Sequence, residues 1–443
     1  MTDRLRKVLD SLPELGRYPT VDESQAELDE LAARYPVTVR RIGTSRLGEP
    51  IRVVTIGEGE GERDALVLGG PHPNEPVGGL TVRELGRLLC AEPWLRAGLR
   101  WHLVPCIDPD GARLNESWYG VPGDRDAYGR GFYRPAMDEQ PEWTFPHLAE
   151  TGYFDRMLPE TVALARLIDE VRPVLLASLH NAEYGGAFHY TTTTDPALAE
   201  LLASVPGWFG VPLQHAVYEV PGSFRLTPGV LRMPTVAELT EGAPPGDGVF
   251  GASSGEYAGR YGAVSVITEV PMWADPRASD SLPTGRLMEE VVAGLLAELV
   301  GAEEALAGVL DSVRGAVRLD TPHRRALDDV LVGMRRIGEG WRRMLGTAEG
   351  ARAATVADEC AFVALPHTLR LRAAGTLLRV LAAEQASGNV RPAIRAAQAR
   401  AESLFTEWRA AADGQPGTLI PLRAQAGIQL GSILAAAAHL VRT

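Results

Sequence analysis

Short apolar runs and segments of helical character alternate along the first two thirds of the chain. The runs that are typical of buried strands are residues 37–42, 51–56, 65–68, 101–107, 174–179 and 263–268. The first two flank a turn at Gly48 and predict a hairpin. Helices are predicted at residues 76–90, 159–171 and 196–204, with another helical region before residue 35. This alternation predicts an α/β fold whose mixed, mostly parallel sheet is covered by helices on both faces.

The pattern changes near Leu282. From there the chain is dense in Ala, Leu, Arg and Glu, and short breaks at Gly or Pro separate five or six helical segments with almost no strand signal. We therefore predict two domains, an α/β domain over residues 1–281 and an all-α bundle over residues 282–443. The bundle is a candidate for self-association into a homo-oligomer or for covering a crevice of the first domain.

Composition narrows the possible partners. The chain has 443 residues, of which 45% are hydrophobic and 23% are charged, and its net charge is −13. A general nucleic-acid or anionic-membrane binder needs a basic face, so neither partner is expected. No apolar run is long enough to span a membrane, and the first residues are too polar for a signal peptide. The three cysteines, Cys90, Cys106 and Cys360, are too far apart for a disulfide framework. A cytoplasmic location is expected.

Four polar residues come just after predicted strands. They are His72, Asp108, His180 and Glu269. In an open α/β sheet such positions lie near one edge, around a single crevice. Polar residues end strands in most proteins, but that fact does not explain why these are all histidine or carboxylate. The pattern therefore indicates one site built from imidazole and carboxylate groups.

The turn after the run at residues 65–68 carries His72 and Glu75, three positions apart. One imidazole and one carboxylate from a short turn suit zinc, which usually takes three protein ligands and a water in catalytic sites. By itself the pair is a weak signal, because the pattern is short and the chain has nine histidines. The best candidate for the third ligand is His180, and His189 is the second choice.

Hydrolysis at such a site needs two further groups. A carboxylate must accept the proton of the attacking water and deliver it to the leaving nitrogen, and Glu269 at its own strand end suits that role. A cation is useful beside the developing oxyanion, and Arg113 follows the turn at Asp108 closely.

Five short segments, taken together, resemble the zinc carboxypeptidase superfamily of M14 type. They are Gly-Thr-Ser-Arg-Leu-Gly-Glu-Pro-Ile at 43–51, Gly-Gly-Pro-His-Pro-Asn-Glu at 69–75, Asp-Pro-Asp-Gly with Arg-Leu-Asn at 108–115, Ser-Leu-His at 178–180 and Ile-Thr-Glu at 267–269. The resemblance spans roughly residues 20–275 and keeps the family's order. It implies the family's fold, one zinc ion held by His72, Glu75 and His180, catalysis by Glu269, and an oxyanion role for Arg113.

One family segment departs from its usual pattern. The family often has Asp-x-Asn-Arg-Asn, and the best match here is Asp-Glu-Gln-Pro-Glu at 138–142. Asp138 would then orient a zinc histidine from behind, and Gln140 would replace the Asn. Pro141 stands where an arginine would clamp a substrate carboxylate, so the usual clamp is absent. The expected substrate-binding residues are Asn115, Gln140, Arg134 and Arg225. The family's active-site tyrosine has no clear match, since Val249 or Phe250 falls about there.

The leading hypothesis is a zinc-dependent hydrolase that cleaves an amide or peptide bond in a small substrate. Two alternatives stay open at this point. Deacylases of the aspartoacylase and succinylglutamate desuccinylase type share the fold and the zinc turn, so an N-acyl amino acid is the alternative substrate. A non-catalytic binding or assembly protein is the other alternative, with the helical part as its working surface.

Overall fold

The structure is a computed structural model that describes residues 2–57, 63–149, 152–220, 222–240 and 251–442. Its strands are β1 (Thr38–Thr44), β2 (Pro50–Ile56), β3 (Arg63–Leu68), β4 (Leu99–Val104), β5 (His147–Ala149), β6 (Gly152–Phe154), β7 (Leu175–His180), β8 (Tyr184–Gly185), β9 (Phe188–Thr191), β10 (Phe224–Thr227), β11 (Val230–Arg232), β12 (Val264–Glu269), β13 (Trp273–Ala274), β14 (Pro283–Leu287), β15 (Ala353–Thr355) and β16 (Thr418–Leu419). Its α-helices are α1 (Thr2–Leu9), α2 (Val21–Arg34), α3 (Val77–Ala91), α4 (Pro109–Arg113), α5 (Glu116–Tyr119), α6 (Arg125–Gly131), α7 (Pro159–Val171), α8 (Pro196–Ser204), α9 (Val236–Thr240), α10 (Ser254–Gly259), α11 (Met288–Asp311), α12 (Pro322–Arg342), α13 (Val356–Ala386), α14 (Pro392–Asp413) and α15 (Leu422–Leu440).

Nine strands form the central sheet, in the order β1-β2-β4-β3-β7-β12-β9-β11-β10. The four central strands β4, β3, β7 and β12 run parallel, while the β1–β2 hairpin lies antiparallel at one edge. The predicted fold class, with a mixed sheet and a helical C-terminal part, is confirmed. In the register of β7 and β12, His180 lies directly opposite Glu269, so both end at the same sheet edge.

Alternating side chains divide the core between the two faces of the sheet. On β3, Ala65 and Val67 pack with α3, while Leu66 and Leu68 pack with α7 on the opposite face. Since strand side chains alternate with a period of two, a continuous apolar run can fill both cores. Burial on both faces holds the carboxyl ends of the parallel strands in place.

The last helix, α15, does not join the helical bundle that the sequence predicted for residues 282–443. It packs on α3 and on strands β7 and β12, and its Leu430 and Ile433 lie in the same core as Val67. Gln429 on this helix donates a hydrogen bond to the carbonyl of His180 (2.9 Å). The apolar face of α15 therefore completes the cover of the sheet, behind the strand end that carries His180.

Helices α11 to α14 form the bundle proper, with its own buried core. The bundle meets the α/β part mainly through α13, which packs against α6. Gly375 of α13 approaches Gly129 of α6 so closely that the two backbones are in direct contact. None of the described helices combines the length and the hydropathy that crossing a membrane requires.

Candidate metal centre

The turn after β3 places His72 and Glu75 side by side. Gly70 adopts a left-handed backbone conformation (φ 58°), which glycine tolerates without the steric cost of a Cβ atom. The amide of Glu75 then donates to the carbonyl of His72 (3.1 Å), closing a short turn just before α3. This local geometry directs both side chains to the sheet edge.

Three donor groups converge at that edge. The Nδ1 atom of His72 lies 3.1 Å from the Glu75 carboxylate, and the Nδ1 atom of His180 lies 2.9 Å from it. The two Nδ1 atoms are 3.1 Å apart. Among the described residues, His72, Glu75 and His180 are the one group of three such side chains whose donor atoms lie within 4.8 Å of one another. All three residues are buried.

This donor set fits zinc. Zinc bonds of about 2.0–2.2 Å in a tetrahedron separate neighbouring ligand atoms by about 3.4 Å, close to the spacing seen here. Two imidazoles and one carboxylate also match the three-ligand set of catalytic zinc sites. The residues therefore fit a zinc ion that has three protein ligands and one open position.

Electrostatics favours a cation between these groups. Burial and the charge of Arg134 lower the pKa of His72 to about 3, so this imidazole is neutral and available as a ligand. Burial opposes the charged form of His180, but Glu269 and Glu75 outweigh it and raise the pKa of His180 to about 9. Burial works against the Glu75 carboxylate, yet the two histidines keep its pKa well below the usual range. The buried carboxylates of Glu75 and Glu269 therefore stabilise a positive charge among these donor groups.

The far side of each imidazole has a different environment. Ser178 places its hydroxyl 2.9 Å from Nε2 of His180, which orients that ring. Nε2 of His72 is buried and has no hydrogen-bond partner among the described residues. Asp138, which the sequence placed behind a zinc histidine, is exposed and near Asp329. Because the Asp138 side chain is exposed while Nε2 of His72 is buried without a partner among the described residues, Asp138 does not orient His72 in this structure.

Glu269 lies beside the three donors. Its carboxylate is 3.7 Å from Nδ1 of His180, across the β7–β12 register. Burial raises the pKa of Glu269 well above its usual value, and the charge of His180 only partly offsets this. A buried carboxylate with a raised pKa is suited to take up a proton and to release it.

Arg134 is the arginine that contacts the predicted ligands. Its Nη1 donates to Glu75 (2.9 Å), and its Nε donates to Gln140 (3.3 Å). Gln140 is buried, and its amide nitrogen donates to the carbonyl of Pro135 (2.8 Å). Gln140 therefore positions Arg134 through a fixed amide.

Arg113, which the sequence predicted beside the oxyanion, points elsewhere. Its guanidinium donates to Glu49 (2.9 Å) and to Asp22 (2.9 Å), and its side chain is 30% exposed. No described contact joins Arg113 to the three donors. Its charge is already balanced by carboxylates that α2 and the β1–β2 turn supply, so an oxyanion role would require Arg113 to leave both partners.

The other predicted site residues lie apart from the three donors. Asn115 is buried and bonded to the backbone of Gly111 and Tyr133, which makes it a structural residue of the loop. Arg225 is exposed on edge strand β10. His189 is fully buried with Nδ1 3.3 Å from Thr268, outside the donor cluster.

The two tyrosines that follow positions 249 and 250 in the sequence, Tyr257 and Tyr261, do not take the place of the family's active-site tyrosine. Tyr257 and Tyr261 both donate to Asp169 (3.1 and 3.0 Å). Val249 and Phe250 lie outside the described residues.

Comparison with known proteins identifies the fold unit that carries these residues. Residues 24–208 match the family described as zinc carboxypeptidase, Peptidase M14. This stretch is a zinc carboxypeptidase family domain. The match includes His72, Glu75 and His180, whereas Glu269 lies beyond it.

Curated relatives of the zinc carboxypeptidase domain include a peptidase and an amidase. Zinc carboxypeptidase A 1 of Anopheles gambiae is 29% identical over 172 residues, which are 36% of this chain and 38% of the relative. Murein peptide amidase A of Escherichia coli (strain K12) is 29% identical over 202 residues, which are 43% of this chain and 76% of the relative. The chain thus spans well under half of the mosquito protein and about three quarters of the bacterial one.

The domain is also similar to solved structures. The carboxypeptidase A of Helicoverpa armigera aligns with a TM-score of 0.41 and 16% identity, over 62% of this chain and 71% of the insect protein.

Proposed function

We propose that this chain is a zinc-dependent hydrolase that cleaves an amide bond in a peptide substrate, with Glu269 as the general base. The observation that supports this most is the convergence of two imidazole nitrogens and one carboxylate beside a second, buried carboxylate. The family match over residues 24–208 agrees with the proposal.

His72, Glu75 and His180 would hold the ion. When bound, zinc lowers the pKa of water and polarises a carbonyl group. Glu269 accepts a proton from the attacking water at its carboxylate and passes it to the leaving nitrogen, which completes the hydrolysis without a separate acid. Its raised pKa favours holding that proton between the two transfers.

Arg134 has a role in the same reaction. Its Nη2 has no hydrogen-bond partner among the described residues, while Nη1 and Nε are held by Glu75 and Gln140. A guanidinium fixed in this way can stabilise negative charge that develops on the substrate oxygen. We therefore assign to Arg134 the role that the sequence suggested for Arg113.

The first test measures metal and activity together. Purified protein is stripped with a chelator, reconstituted with zinc, and offered peptides with free and amidated C-termini, N-acyl amino acids and short murein peptides. The murein peptides are included because one relative is named a murein peptide amidase. We expect one zinc per chain and chelator-sensitive cleavage of at least one peptide.

Glu269→Gln is the decisive variant in this test. It should keep its zinc and lose at least 10²-fold in kcat, in line with the usual contribution of a general base. If Glu269→Gln retains zinc and full hydrolytic activity, the catalytic assignment is wrong. If the reconstituted protein binds no zinc, a non-catalytic binding function is favoured instead. Faster turnover of N-acyl amino acids than of any peptide would favour the deacylase.

A further inference from the structure

One face of α13 docks on the zinc carboxypeptidase domain. Arg372, Gly375 and Arg379 follow at intervals of three and four residues, so they share that face. Arg379 donates through Nη1 to the backbone carbonyls of Leu114 and Gly131, both at 2.9 Å. Gly375 packs directly on the α6 backbone. The Gly375 contact sets how closely α13 approaches the domain, and Arg372 extends into the domain from that face.

The Arg372 guanidinium is held along one edge. Its Nε atom is 3.0 Å from the hydroxyl of Tyr128 and 2.9 Å from the carboxylate of Glu183. The same hydroxyl donates to Glu183 (3.2 Å). The guanidinium also lies 4.8 Å from the ring centre of Phe132. Neither terminal nitrogen of Arg372 has a hydrogen-bond partner among the described residues, so the end of the fork is available.

Backbone contacts place this fork beside the loops that follow the two strands of the metal centre. Glu183 follows the predicted ligand His180 by three residues. Its carbonyl accepts hydrogen bonds from the amides of Met272 (3.1 Å) and Trp273 (3.0 Å), which lie three and four residues after Glu269. Because Nε of Arg372 is 2.9 Å from the Glu183 carboxylate, the guanidinium lies where the loops after β7 and β12 meet.

A purely structural ion pair would explain only part of this arrangement. An ion pair with Glu183 accounts for the Nε edge, but it leaves both terminal nitrogens with a fixed direction and with no acceptor in the part of the chain that the structure describes. A guanidinium binds a carboxylate well through its two terminal nitrogens, with two parallel hydrogen bonds. The Tyr128 hydroxyl and the Phe132 ring limit rotation of the guanidinium, so little entropy would be lost when a carboxylate binds.

We propose that Arg372, supplied by the helical part of the chain, binds a carboxylate of the substrate. This inference rests on the proposed function and adds its substrate class, an anionic peptide. Arg372 lies outside the segment 138–142, where proline replaces the arginine that the family resemblance implied. Tyr128 and Glu183 are positioning residues, since they orient Arg372 and do not themselves bind the carboxylate.

The test compares matched substrates that differ in one carboxylate. One pair has a free or an amidated C-terminus, and a second pair has Glu or Gln next to the scissile bond. The wild-type protein should prefer one carboxylate form at least tenfold in kcat/KM, and the preferred pair identifies which carboxylate binds. Arg372→Gln should abolish that preference, mainly by raising KM. Arg372→Lys should keep part of it, since lysine retains the charge but lacks the fork.

Arg379→Gln is the matched control, because it removes an arginine from the same face of α13. It should lower the melting temperature while leaving the ratio between paired substrates unchanged. If Arg372→Gln lowers kcat/KM equally for both members of each pair, Arg372 is structural and the proposal fails. It also fails if the wild-type protein shows no preference for either carboxylate.

A binding measurement tests this inference independently of the proposed function. If the zinc-loaded protein hydrolyses nothing, the proposed function fails, and calorimetry with N-acetylalanine and N-acetylalanine amide still tests Arg372. Tighter binding of the acid, lost in Arg372→Gln and kept in Arg379→Gln, supports the carboxylate site. Equal binding of acid and amide to the wild-type protein, or no binding of either, overturns it.

Discussion

At the scale of single residues, Arg113 and Arg134 show that neighbouring side chains determine whether a guanidinium is available to a substrate. Arg113 is shared between Asp22 and Glu49 at the surface, whereas Arg134 has one nitrogen on Glu75 and another on Gln140. An arginine that is paired with two carboxylates has little positive field left for a substrate. An arginine beside a proposed metal ligand is placed to act where negative charge would develop in the proposed reaction.

We therefore expect effects of very different size from the same substitution at these two positions. Arg134→Gln should lower kcat by about 10²–10³-fold, as loss of an oxyanion donor does in other enzymes. Arg113→Gln should change kcat less than threefold and cost at most about 1 kcal/mol of stability per lost pair, since the pairs are partly exposed. Steady-state kinetics and urea denaturation measure both effects. A large fall in kcat for Arg113→Gln would restore the role suggested by the sequence.

Asp358 connects the helical part to the loop around Tyr218. Its carboxylate accepts from Arg352 (2.7 Å) and from the Thr355 amide (2.8 Å), and it also bonds the Tyr218 hydroxyl. Burial would raise the pKa of Asp358, but Arg352, Tyr218 and Thr355 outweigh it, so the pKa is lowered. The charged carboxylate is therefore the form that stabilises the fold.

The sign of the pH dependence follows from that lowered pKa. The stabilisation is fully present above the unfolded-state pKa of about 4 and is lost as the pH falls through the lower folded-state pKa. Asp358→Asn should cost about 1–3 kcal/mol at pH 7, and the difference from wild type should shrink below about pH 4. Urea titrations at pH 7 and pH 3 measure it. A difference that stays constant or grows on acidification would contradict the assignment.

At the scale of elements, α13 is the connection between the two parts of the chain. It runs from Val356 to Ala386 and contacts the other bundle helices as well as α6. Its contact with α6 depends on Gly375, because a Cβ atom there would lie 1.8 Å from the carbonyl oxygen of Gly129. A side chain at this position would push the helix away from the domain.

Gly375→Ala should accordingly destabilise the protein, although alanine favours helices more than glycine does. We expect a loss of about 1–3 kcal/mol from overpacking and a weaker carboxylate preference, because Arg372 moves with the helix. Gly294→Ala on α11 is the matched control, since its position is exposed and a Cβ atom would meet nothing within 4 Å. That control should gain about 0.5–1 kcal/mol. Equal effects at both sites would argue against tight docking.

At the scale of the whole molecule, the sheet depends on the last helix of the chain. Helix α15 covers the sheet next to α3, and Thr81 of α3 donates to Gln429 of α15 (2.6 Å). The chain therefore leaves the sheet after β12, builds the bundle, and returns to the sheet. In the sequence, the bundle is therefore inserted between the strands of the α/β unit and the last helix of that unit, α15.

A chain that ends at residue 413 should consequently fail to fold cooperatively. It keeps α11 to α14 but lacks Leu430, Ile433 and Ala436, which are buried in the core of the full chain, so the part of the core that they cover is exposed. Burial of each such leucine or isoleucine contributes about 1.5–3 kcal/mol. Solubility, circular dichroism and thermal melting compare this fragment with the full-length chain. A soluble fragment with a cooperative transition would show that α15 is dispensable.

The sequence by itself determined the features that depend on local geometry. Spacing in a glycine-containing turn brings His72 and Glu75 together, because residues three apart in a tight turn face the same way. Apolar runs that end in polar residues indicated that His180 and Glu269 share an edge, since the ends of neighbouring parallel strands are adjacent. The fold class followed from the same alternation of strands and helices.

Only the tertiary structure decided which charges meet. Arg113 pairs with Asp22 across many residues, Asp138 faces solvent, and α15 returns to the sheet. Arg372 reaches the zinc carboxypeptidase domain from a helix nearly two hundred residues after His180. Hydrophobic periodicity shows that one face of an element will be buried, but it does not show which element will pack against that face. The residues next to a charged side chain in the sequence likewise do not indicate its ion-pair partner. Those pairings are set by packing between distant elements, so no local pattern could reveal them.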